Sequence, residues 1–278
     1  MINKFNFYDV YGYFLPGLVF LVLLVLPVGM ATGKWPDGGQ LVTALLGIPL
    51  AYVVGHLLRC VEVFPSTVKD SSGGFRYPSD ILLDQDDGKF TNEFKENLVA
   101  QIKARFDIDI SKGTDKSAKR REVFFLCRSL LIESKTVSYG EQFEGMYALA
   151  RGLLSAFMLA GAYYFGWALA ALEYDAHRVA FVLVCIGGVV ALTAFSHQKL
   201  AFGSILLALA SFGYLLAHGL PTTTTLWKWF PAMTVASIFL ARLSHRAFQG
   251  FAWEFAKAIY RDFYALDRKP VKSTGENK

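Results

Sequence analysis

Charge is scarce in this chain, and it is missing from whole blocks of it. Only 18% of the 278 residues are Asp, Glu, Lys or Arg, against about 25% in soluble domains. Residues 13–30, 41–58, 153–172, 179–196 and 201–217 hold no such residue at all. Cysteine is equally sparse: Cys60, Cys127 and Cys185 are widely spaced, which excludes a disulfide framework and a paired Cys-x-x-Cys metal signature. No G-x-S-x-G, P-loop or H-E-x-x-H stretch occurs, so the common hydrolase, nucleotide and zincin signatures are absent. The apolar runs also lack the intramembrane carboxylates and bases on which ion-coupled transporters, proton pumps and aspartyl membrane proteases rely.

What is present is oil-soluble length. Hydrophobic residues make up 54% and aromatics 15% of the chain, and the mean hydropathy is +0.35. A spanning helix needs about 20 mostly apolar residues, and each uncharged run approaches that length. A sixth, shorter run at 229–241 lies between Lys228 and Arg242, with Trp227 and Trp229 as interfacial anchors. The expected fold class is all-α: a polytopic membrane protein with about six transmembrane helices and a small helical cytosolic insert.

The first run does not read as a cleaved signal. Lys4 is the single early base, the apolar core exceeds the usual 7–15 residues, and "VGMATGKW" offers no cleavage pattern. Tyr8, Tyr11 and Tyr13 read as an aromatic belt at the water boundary, with Pro16 and Gly17 in the opening turns. Orientation follows from the bases. Lys34, Arg178 and Lys228 fall on one side, and the remaining 25 of 28 Lys and Arg on the other, which puts both termini in the cytoplasm of a bacterial inner membrane.

Four segments result: a transmembrane hairpin over 1–64, a cytosolic helical insert over 65–138, a four-helix transmembrane region over 139–243, and an amphipathic helix with a disordered tail over 244–278. In the insert, "KDSSGGFRYPSD" reads as a turn-rich linker. Phe90, Phe94, Leu98, Ile102 and Phe106, and then Val123, Cys127, Leu130 and Leu131, recur at helical spacing. So do Phe248, Phe251, Phe255, Ile259 and Phe263 near the end, and that stripe is expected to pack on the insert rather than lie on lipid. The insert's charges nearly cancel, which argues against a nucleic-acid partner.

"SYGE" at Ser138–Glu141 forms a capping box that opens a rod of roughly 50 Å. Ser138, Glu141 and Arg151 are therefore the expected membrane–cytosol coupling residues. His56 and Cys60 share a helix face and are weak metal candidates beside Glu62, short of the three or four ligands zinc requires; the expectation is no metal and no cofactor. His197 and His218 read as interface residues. "ILLDQDDGKF" fails as a calcium loop, because Leu83 and Phe94 would fill its first and twelfth positions. It fails as a haloacid-dehalogenase-like motif too, because Gly88 stands where Thr or Val belongs; a solvated acidic turn is the expectation. Small residues recur at Ala156/Ala160, Ser204/Ala208 and Ser237/Ala241, consistent with either tight packing inside the chain or a homo-oligomer.

The segments "YGYFLPG", "AYVVGHLLRCVE", "FFLCRSLL", "FEGMYALARGLLSAF" and "FAKAIYRDFYAL" together resemble a loosely defined family of bacterial multi-pass inner-membrane proteins without an assigned activity. The resemblance covers most of the chain in the same order and implies, for part of that family, an association with anti-phage defence loci. The functional expectation is a non-enzymatic sensor, effector or scaffold component with no catalytic residues. It would sit in the lipid bilayer and meet a cytosolic protein partner through the insert and tail. The alternative is a transporter or channel for a small neutral solute; a lipid head-group enzyme would require His56, Cys60, Arg59 and Glu62 to act together.

Overall fold

A computed structural model of the chain describes residues 7–35, 41–60, 68–69, 74–84, 87–110, 116–134, 139–170, 197–219 and 229–266. These residues are helical apart from turns and one two-stranded ribbon. In chain order they form α1 (Phe7–Asp9), a π-helical turn (Val10–Phe14), α2 (Leu15–Thr32), α3 (Leu41–Cys60), β1 (Val68–Lys69), β2 (Phe75–Arg76) and α4 (Pro78–Ile81). There follow α5 (Asn92–Phe106), α6 (Lys116–Glu133), α7 (Tyr139–Ala170), α8 (His197–Gly219) and α9 (Phe230–Leu266). The segment expected as a linker holds a small hairpin, because Val68 pairs with Arg76 and Lys69 with Phe75 in antiparallel register. The apolar run at 179–196 and the terminal tail at 267–278 lie outside the described residues.

The chain divides into two compact units: Met1–Pro65 with Gly145–Phe248, and Ser66–Glu144 with Gln249–Lys278. Helices α7 and α9 contribute residues to both. Among the described residues two helices are long and apolar enough to cross a membrane, Val10–Thr32 and Tyr139–Ala170; Leu46–Cys60 and Ile205–Ala217 are shorter apolar stretches.

The first unit is held by close helix crossings. Helix α2 ends where Gly33 takes a left-handed φ of 69° and its N–H bonds the Gly29 carbonyl at 2.9 Å, a conformation glycine adopts without steric cost. A Cβ on Gly17 would enter the backbone of Ala51 and Gly55, and one on Gly55 would enter the backbone of Tyr13. The two glycines thus let α2 and α3 touch main chain to main chain, a contact available only to small residues. The same device joins α7 to α8, where Gly166 abuts the Ala210 carbonyl and Gly213 the Tyr163 carbonyl.

Tyr163, Tyr164 and Trp167 on α7 are buried with Ala31, Ala160 and Phe230. The Tyr164 hydroxyl donates to the Leu23 carbonyl at 2.8 Å, which satisfies a polar group in an otherwise apolar core. Ala156, Ala160, Ser237 and Ala241 are all buried within this chain, so these small residues serve packing here; Ala208 is exposed.

The second unit has its own core. Leu98 and Ile102 from α5, and Val123, Cys127 and Leu131 from α6, pack with Ala256, Ile259, Tyr260 and Phe263 from α9. Phe90 joins them from the turn before α5, while Phe94, Phe106 and Leu130 are half-buried around them. Helix α5 starts because the Thr91 side chain accepts the Phe94 N–H at 3.3 Å, an N-cap, and it stops where Asp107 adopts a φ of 56°. Of the stripe expected to pack on the insert, Phe255, Ile259 and Phe263 do so, whereas Phe248 belongs to the first unit, where it stacks on Tyr147. Phe106 stacks on Phe263 at 5.7 Å between centroids, Lys89 sits 3.8 Å over the Trp253 ring, and Gln101 donates to the Tyr264 carbonyl at 3.4 Å.

Candidate functional site

Polar chemistry in the second unit concentrates beside α4. Pro78 opens that helical turn, and its next residues, Ser79 and Asp80, are buried. Asp80 is 1% exposed; its Oδ2 accepts from the Ser117 hydroxyl at 2.6 Å. Burial pushes the Asp80 carboxyl above its ordinary value, against the pull of Ser117 and of Arg121, Arg76 and Arg120.

Asp84 behaves in the opposite way. Arg76 donates to its Oδ2 at 2.6 Å and Arg120 to its Oδ1 at 2.5 Å. Burial works to raise this carboxyl as well, but the two guanidinium hydrogen bonds outweigh it and hold Asp84 below the usual carboxylate value. "ILLDQDDGKF" therefore carries a paired acid in place of a merely solvated turn.

Lys95 is 4% exposed and its ammonium donates to the backbone carbonyls of Asp84 and Asp87. That tie satisfies a buried charge and fixes the turn that α5 follows. Arg120 also donates to the Asp80 carbonyl at 3.0 Å, and the Tyr260 hydroxyl donates to the Ser79 carbonyl at 3.2 Å. Tyr260 is completely buried, and burial, with Cys127 and Asp80 nearby, pushes its hydroxyl far above the usual value.

A cleft of about 710 Å³ opens beside this cluster, lined by Asp84, Lys95 and Arg120 together with Asn92, Lys103 and Lys116. Its volume falls in the range of small-molecule sites, and its walls carry both signs of charge, Glu96 and Asp109 adding to Asp84. Of its lining residues, Arg120 has its Nε buried without a hydrogen-bond partner among the described residues. The nearby Cys127 lies in the apolar core, and burial pushes its thiol up to about 12, which keeps it protonated and inert.

The coupling residues expected from sequence fall at separate places. Ser138 and Glu62 lie outside the described residues. Glu141 is exposed in the first turn of α7, where a negative charge complements the helix dipole. Glu144, one turn on, takes a two-oxygen ion pair from Arg128 of α6, both contacts at 2.8 Å; this tie between α6 and α7 had no signal in the sequence. Arg151 lines a small cleft in the first unit with Arg59, Tyr8 and Tyr147.

His56 is stacked face to face on Tyr13 at 3.8 Å, and its Nδ1 lies 2.9 Å from the Tyr52 carbonyl. That occupies one ring nitrogen in a backbone contact. Cys60 is exposed, and no group of three His, Cys, Asp or Glu side chains gathers as a metal site among the described residues.

Asp80 and Arg120 escape a sequence reading because their partners are distant in the chain: Ser117 lies 37 residues from Asp80, and Asp84 lies 36 from Arg120. The one local hint is the density of bases in "KRRE" opposite the acids of "DQDD". Comparison with family models, curated proteins and solved structures finds no match.

Proposed function

We propose that this chain is an inner-membrane protein of about six spans, both termini and the second unit cytosolic, acting as a non-enzymatic sensor or effector. The carrying observation is α9. Val235, Ile238, Phe239, Leu240 and Leu243 leave large apolar side chains exposed in its first half, while Ala256, Ile259, Tyr260 and Phe263 belong to the core of the second unit. One uninterrupted helix of about 55 Å thus carries a lipid-compatible surface at one end and a globular core at the other. Among the described residues, large exposed hydrophobics occur almost wholly in the first unit; Phe125, Ile132 and Tyr139 are the exceptions. Water penalises such a surface and lipid does not.

In this reading the polar cleft beside Asp84 and Arg120 is the receiving end, for a small polar ligand or a cytosolic partner. Helices α7 and α9 carry its state to the spans, because α7 supplies Glu144 to one unit and Tyr163, Tyr164 and Trp167 to the other.

The test uses the full chain in lipid nanodiscs. Hydrogen exchange is compared between the wild type and Arg120→Gln, whose substitution falls in the cleft alone. Altered protection within 230–245 supports coupling, and changes confined to 76–133 reject it. A reporter fused after Lys278 that is active only on the periplasmic face rejects the threading. Reproducible solute uptake by proteoliposomes replaces the sensor reading with a transporter. The resemblance to proteins of defence loci makes phage challenge of expressing cells the first phenotype to measure.

A further inference from the structure

We infer that Arg59 and Arg151, with Tyr8 and Tyr13, form a site for the phosphate of an anionic membrane phospholipid. The inference rests on the membrane reading above and adds a ligand to it.

Each arginine stands at the edge of an uncharged stretch. Arg59 directly follows the run 41–58, and Arg151 precedes the uncharged remainder of α7. Such positions fall at the depth of lipid head groups. The fold then brings the two together, since both line one narrow cleft with Tyr8 and Tyr147.

Arg59 is preorganised. Its guanidinium lies 5.3 Å from the Tyr8 ring centre and 5.2 Å from that of Tyr13, and it donates to the Tyr13 hydroxyl. Those rings brace one another edge to face at 5.6 Å, and Tyr13 is backed by His56. The π-helical turn Val10–Phe14 supplies the arrangement, a geometry that recurs at functional sites. A guanidinium has five N–H donors in a planar fork matched to phosphate. The Tyr13 hydroxyl takes one of them, and Arg59 is exposed.

The charge pattern and the size select the guest. Two guanidinium groups in one cleft repel each other, and an anion shared by them removes that cost. Gly12 and Gly152 form the floor, where a Cβ on Gly152 would meet the Pro16 ring at 2.5 Å and one on Gly12 would meet Ala148 at 3.2 Å. The space is about 20 Å³, room for one phosphate oxygen but not for a head group. A phosphodiester anchored in the bilayer meets that limit: one oxygen enters, and the rest of the lipid stays outside along the exposed apolar faces of α2 and α3, at Val22 and Leu57 among others.

Purified full-length protein is titrated with phosphatidylglycerol, phosphatidylcholine or inorganic phosphate, and lipid retention is read by native mass spectrometry. Phosphatidylglycerol should be retained and phosphatidylcholine released. Arg59→Gln with Arg151→Gln should lower retention at least tenfold, Arg59→Lys with Arg151→Lys should recover part of it, and Arg242→Gln should leave it unchanged. Folding of each variant is checked by its melting temperature in detergent. Equal retention by the Gln pair overturns the site, and so does displacement of the lipid by millimolar inorganic phosphate. Release of the wild-type protein from membranes by carbonate would instead fail the membrane reading, an outcome separate from both.

Discussion

Arg120 reaches two acids one helical turn apart and treats them differently: its guanidinium bonds the side chain of Asp84 at 2.5 Å but only the backbone carbonyl of Asp80, at 3.0 Å. The carboxyl that receives the charge is held ionised, and the one that does not is pushed towards its neutral form by burial. Burial presses on both carboxyls, and the two guanidinium hydrogen bonds from Arg76 and Arg120 reverse it at Asp84 alone.

That contrast gives a pH signature. Asp84 has a folded value below its unfolded one, so its contribution is complete above about pH 4 and is lost as pH falls through the lower folded value. Asp84→Ala strands two guanidinium groups and should cost about 2 kcal/mol at neutral pH. Asp80 runs the other way: its contribution is complete below about pH 4 and is lost as pH rises through the raised folded value. Asp80→Asn should therefore match or exceed the wild type at pH 8, and that advantage should disappear in acid. Thermal unfolding of the three proteins between pH 3 and 8 measures both; a neutral-pH loss for Asp80→Asn as large as that for Asp84→Ala contradicts the assignment.

The glycine crossing between α2 and α3 should tolerate no side chain. Gly55→Leu places its Cβ in the Tyr13 backbone, and overpacking of this kind typically costs about 1–3 kcal/mol or more. Gly47→Leu on the same helix meets nothing within 4 Å and should be silent. Melting temperatures in detergent separate the two, and equal behaviour would mean the helices do not cross there.

Two thiols should differ in reactivity. Cys60 is exposed and Cys127 is fully buried with its pKa pushed up to about 12, so maleimide should modify Cys60 in the native protein and reach Cys127 only on unfolding. Peptide-level mass spectrometry after timed labelling reads both. Fast native labelling of Cys127 would show that the second unit's core is open.

The second unit should depend on the far end of the chain. Phe263→Ala removes a fully buried ring stacked on Phe106 and should cost about 3–5 kcal/mol. Tyr260→Phe removes only the hydrogen bond to Ser79 and should cost about 1 kcal/mol. Protease resistance of the segment 87–133 is the readout; an unchanged digest for Phe263→Ala rejects the shared core.

Wherever one residue type repeats at a helical interval, the sequence was readable. Leu98 and Ile102, Val123 and Cys127, and Ile259 and Phe263 each show a 3.6-residue period, and each pair is buried in the second unit. Ala156 and Ala160 were visible as close-approach positions for the same reason. What stayed hidden is long-range pairing of residues that look ordinary alone. Gly17 and Gly55 are 38 positions apart, and neither has a local pattern marking it as a crossing point. Asp80 reads as an exposed turn acid until Ser117 and Arg120 close over it. The Val68–Arg76 hairpin hides in a segment whose composition signals only a turn.

The second unit is built from two stretches of chain that leave the ribosome at different times. Leu131 is made long before Phe263, and at 5–20 residues per second the interval is on the order of ten seconds. During that delay the apolar faces of α5 and α6 lack the ring stack that later covers them. The second unit's core therefore cannot close until α9 has been synthesised.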